Sequence, residues 1–80
     1  MSIAEELRRE YNELRAKLDK GRLGLSLLLE AQEELGLEGE MYAIFALKEA
    51  ECNHFIAEAE EGLAILKDEI ERLDAQERDN

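Results

Sequence analysis

An all-α fold, a long antiparallel helical hairpin, is predicted by three observations. Proline, valine, threonine and tryptophan are absent while leucine, alanine and glutamate dominate, so helix formers are in excess and strand formers nearly missing. Leu7, Tyr11, Leu14, Leu18, Leu25, Leu28 and Leu35 follow the alternating four-and-three spacing of a heptad seam, with Gly21 and Gln32 at the two intervening positions. The segment Gly36-Leu37-Glu38-Gly39 then breaks that seam, and a second apolar stripe follows it.

The first helix is expected over about 3–35. Ser2 followed by Glu5 is a capping box, in which the serine oxygen accepts the Glu5 N–H and the glutamate reaches back to Ser2. Because a loop at Gly21 to Gly24 would reset the heptad phase, one helix is favoured, although each interior glycine costs roughly 1 kcal/mol against alanine. A three-helix arrangement broken at Gly21-Arg22-Leu23-Gly24 is the alternative. The turn falls at 36–39, where a glycine can take the left-handed conformation and Leu37 can fold back on the last turn. The second helix, over about 40–75, carries Phe45, Cys52, Ile56, Ala59, Leu63, Leu66, Ile70 and Leu73 on one stripe and is expected to fray near Asp74 to Asn80. Residues 1–80 thus form a single helical domain. Folding about Leu37 and Glu38 sets residues whose numbers sum to about 76 opposite one another, so Gly21 faces Phe55 and Gly62 faces Leu14.

A hairpin of this size cannot enclose a core, and Leu23, Leu27, Leu29, Ile44, Leu47 and Phe55 fall off the seam. A second copy is the simplest cover, giving a homodimeric four-helix bundle with Leu23, Leu27, Ile44, Leu47 and Phe55 at the dimer interface. A client helix docked on the same groove is the alternative.

Charge is the most informative feature. The 80 residues carry 21 acidic and 10 basic side chains, a net charge of -11. Residues 1–22 hold five acids and six bases, net +1; residues 23–66 hold ten acids and only Lys48, net -9; residues 67–80 hold six acids and three bases, net -3. In the hairpin the acids collect at the turn end, beside the apolar excess. Glu30, Glu33, Glu34, Glu38 and Glu40 are therefore the candidate partner-binding residues, an acidic rim suited to a basic protein. Glu5 with Arg9 and Glu13 with Lys17 are expected to form helical i to i+4 pairs. A net charge of this sign opposes direct binding to nucleic acid or anionic membrane, and no apolar stretch approaches the roughly 20 residues that span a bilayer. The single Cys52 and an N-terminus unlike a secretory signal point to the cytoplasm.

Little here can assemble catalysis: one histidine, two serines of which Ser2 is a cap, and no phosphate-binding glycine loop. No enzyme activity, cofactor or metal is expected. Two partial patterns mark alternatives. Glu51-x-x-His54, with Glu30 from the other helix, resembles half of a ferritin-like di-iron site, which implies a carboxylate/histidine metal-binding helical protein. The run Leu23-Gly24-Leu25-Ser26-Leu27 resembles the serine-bearing segment of acyl carrier proteins, with Leu25 where that family has aspartate, and implies Ser26 as the modified residue. Cys52 lies about 200 degrees around the helix from His54 and reads as a buried small hydrophobe. The favoured function is a non-enzymatic acidic interaction protein that inhibits or escorts a basic partner. Phage-type anti-defence proteins, some of which mimic DNA, and small secretion chaperones share this character.

Overall fold

The computed structural model describes residues 2–79 and is a hairpin of two helices, α1 (Ile3–Leu35) and α2 (Gly39–Asp79). Its long dimension of 62 Å matches the length of α2, 41 residues at about 1.5 Å each. The two other dimensions, 16 and 14 Å, are those of two helices side by side. The all-α hairpin is the architecture that the composition and heptad seam predict.

Ser2 caps α1 from an extended conformation, its side-chain oxygen accepting the Glu5 N–H at 3.2 Å while its carbonyl accepts the Glu6 N–H at 3.1 Å. Among the described residues the return bond from the Glu5 carboxylate to Ser2 is not made, so only the serine half of the capping box forms. The helix then runs unbroken through Gly21 and Gly24, which removes the three-helix alternative. At its C-terminal end Gly36 takes φ 56° and ψ 49°, the left-handed cap, and Gly39 has φ 62°. Two glycines thus reverse the chain in a few residues.

The seam packs as its spacing demands. Leu18 and Ala59 are buried, as is Ala4, one further seam position toward the N-terminus. Leu7, Tyr11, Leu14, Leu25 and Leu28 of α1 are half-buried against Cys52, Ile56, Leu63, Leu66 and Ile70 of α2. Leu35 departs from the expectation: it holds a seam position yet is 64 % exposed, at the last residue of α1 before the turn.

Register is read directly at the glycines. A Cβ on Gly21 would lie 3.0 Å from two ring carbons of Phe55, and one on Gly62 would lie 3.0 Å from a methyl of Leu14. Both pairs are those expected from folding about residues 37 and 38. Each glycine makes room for a large side chain of the other helix.

The two flanks of the seam differ. On one, Arg8 and Arg22, two heptads apart on α1, pair with Asp74 and Glu60, two heptads apart on α2; the Arg22–Glu60 distance is 2.9 Å. α2 runs past the expected end near residue 75, to Asp79. Arg8 pairs with Asp74, and the Arg78 Nε donates to the Asp74 carbonyl at 3.5 Å. Asn80 lies outside the described residues. The local pairs of α1 also differ from expectation: Arg9 approaches Glu6 at 4.0 Å rather than Glu5, and Glu13 with Lys17 forms no pair. The opposite flank carries Phe55 and Gly62 over Gly21 and Leu14 and has no interhelical ion pair among the described residues.

Candidate protein-binding surface at the turn end

Glu30 and Glu33 project from the last turns of α1, with Glu34 beside them; Glu38 follows the Gly36 cap, and Glu40 sits in the first turn of α2. All five are exposed, and among the described residues none makes an ion pair. That follows from composition, since Lys48 is the one base between residues 23 and 66 and it lies 3.6 Å from Glu51. The arginines that neutralise acids across the hairpin stand away from the turn, Arg8 near the open end and Arg22 at about mid-height. The turn end therefore carries uncompensated negative charge in full contact with water.

Large apolar side chains surround it. Leu23, Leu27, Ile44 and Leu47 are all at least half exposed, and Phe55 keeps 40 % of its surface despite its contact with Gly21. The five residues expected at an interface are thus all accessible; Leu23 and Leu27, four apart, are neighbours on α1, as Ile44 and Leu47, three apart, are on α2. Leu23 and Leu47 lie on the backs of their helices, opposite the seam; Leu27, Ile44 and Phe55 each precede a seam residue and lie on the flank without ion pairs. Met41 and Tyr42, 48 % and 59 % exposed, belong to the same apolar surface and are absent from the sequence-based set. For Met41 the signal was present: it stands two heptads before Phe55, on the same stripe.

The metal reading finds no support in geometry. Among the described residues no three His, Cys, Asp or Glu side chains converge, so Glu30, Glu51 and His54 do not form a ligand set. Instead His54 Nε2 lies 3.1 Å from Glu58 on the exposed outer surface, and Glu51 faces Lys48. Cys52 is half-buried on the seam without a disulfide partner. Ser26 is exposed in the middle of a 33-residue helix, unlike the short-helix setting that the acyl-carrier resemblance implies.

Two open depressions, of about 280 and 260 Å³, both lie toward the open end of the hairpin; the first is lined by Ser2, Ile3, Ala4 and Leu73, the second by Arg8, Tyr11, Lys67 and Ile70. The first also includes Gln76 and Glu77, with the Ser2 hydroxyl serving as the cap of α1, and the second also includes Glu71. No helix among the described residues is long and apolar enough to cross a membrane. No protein-family model matches the chain, and no curated protein or solved structure resembles it significantly.

Proposed function

We propose that this chain is a non-enzymatic interaction protein that binds a basic protein partner through its acidic turn end and thereby inhibits or escorts it. One observation carries the reading: Glu30, Glu33, Glu34, Glu38 and Glu40 are exposed and unpaired at one end of a long hairpin, with apolar side chains beside them. Carboxylates that have no cation of their own attract a cationic surface by long-range attraction, and neighbouring apolar groups supply the contact that holds it. The partner is a protein with a basic face, such as a nucleic-acid-binding protein, rather than nucleic acid itself. The half-buried, unpaired Cys52 fits a reducing cytoplasm.

Two sets of substitutions separate an acidic grip from the chiefly apolar grip of a secretion chaperone. Glu33→Lys with Glu38→Lys and Glu40→Lys reverses the rim, whereas Leu23→Ser with Leu47→Ser removes apolar surface from the backs of the helices. Each is used as bait on nuclease-treated lysate of the source cells. The acidic reading predicts that the first set loses the partner and the second retains most of it. The reverse pattern would assign the grip to the apolar surface.

A further inference from the structure

Leu27 lies on the flank that has no interhelical ion pairs, and the residues around it are arranged symmetrically in sequence. One heptad before Leu27 stands Lys20, and one heptad after it stands Glu34. All three are exposed, and neither charged group makes an ion pair among the described residues. On α2 the same flank repeats the device: Met41 and Phe55 stand one heptad either side of Lys48. The Gly21–Phe55 register, in which opposed residues sum to 76, puts Lys48 level with Leu28. The centres of the two patterns therefore lie at the same height along the hairpin.

We infer that two copies pack flank to flank about a two-fold axis through Leu27 and Lys48, perpendicular to the helices, with the turns at opposite ends. A two-fold interface must be complementary to itself. Here Leu27 meets its own copy on the axis, Lys20 meets Glu34 of the second copy, and Phe55 meets Met41 of the second copy. Each Lys48 near the axis is already neutralised by Glu51 at 3.6 Å.

Charge selects this arrangement over the parallel one. A parallel dimer would set two turn ends side by side, although residues 23–66 carry net -9 in each copy. The antiparallel dimer separates the turns and lays each against the level of residues 15–22 and 54–61 of the other copy, which together hold four bases and four acids, so each acidic turn meets a neutral stretch rather than a second acidic one. The overlap from the turn to that segment is about 20 residues, or roughly 30 Å of helix. Across a face 16 Å wide this covers roughly 500 Å² per copy, about 1,000 Å² in total, which reaches the size of a specific interface. Glu30, Glu33, Glu38 and Glu40 stay off the axis, so the dimer leaves an acidic rim at each end. The inference stands on the chain alone and needs no client.

Sedimentation equilibrium of the whole chain, with charge-swap variants, tests it. The wild type is expected at twice the 9.2 kDa chain mass at tens of micromolar. Lys20→Glu alone and Glu34→Lys alone each place like charges together and are expected to weaken the dimer at least tenfold, while K20E/E34K restores it. Leu27→Asp, an exposed position that leaves the seam intact, is expected to give monomer. A monomeric wild type would overturn the inference and leave the flank to a client. A dimer indifferent to both single changes, or one that the double change fails to restore, would overturn the antiparallel geometry.

Discussion

Gly21 and Phe55 are a fitted pair: a Cβ on the glycine would stand 3.0 Å from the Cδ1 and Cε1 atoms of the ring. The pair sets both the separation of the helices and their register. Gly21→Leu must push the ring aside and is expected to destabilise the hairpin by about 1–3 kcal/mol. In a Phe55→Ala background the same change should cost less, because the space is vacant. A double-mutant cycle by chemical denaturation checks this, and a coupling near zero would contradict the register.

The turn depends on Gly36, whose φ of 56° costs an L-residue about 1–2 kcal/mol. Gly36→Ala is expected to destabilise by that amount and Gly36→Asn by less, since asparagine tolerates the left-handed region better. Denaturant midpoints of the two variants test the order.

The ion pairs of the other flank are exposed, with Arg22 and Glu60 side chains about half accessible. Glu60→Gln should therefore cost under about 1 kcal/mol, and the loss should shrink in 1 M salt. A larger, salt-independent loss would mean that the pair fixes helix alignment.

Among the described residues only Ala4, Leu18 and Ala59 are buried, and no large side chain is completely enclosed. The proposed dimer predicts that folding is linked to self-association, so that a tenfold rise in protein concentration should raise Tm by several degrees. Melts followed by circular dichroism over a hundredfold concentration range check this. A constant Tm would show that the isolated hairpin supplies its own stability.

Most of the architecture was legible because burial in a two-helix hairpin repeats with the heptad. Leu7 to Leu28 and Cys52 to Leu73 could be placed from spacing, and one turn position was enough to pair Gly21 with Phe55. The Arg8–Asp74 contact was not legible, since it joins opposite ends of the chain. Leu35 misled because spacing gives its side of the helix but not that Met41, level with it across the turn, is itself about half exposed. The acidic rim was legible as charge.

The central claim is that uncompensated carboxylates at the turn end recognise a basic protein, and salt-dependent capture tests it most directly. The wild-type chain, immobilised at its open end, is exposed to nuclease-treated lysate of the source cells at low and at high salt, and retained proteins are identified by mass spectrometry. The account predicts a basic protein held at low salt and released at high salt, because screening weakens contacts between exposed charges. A partner held equally at both salt concentrations, or retention of the chain's own copies alone, would contradict it.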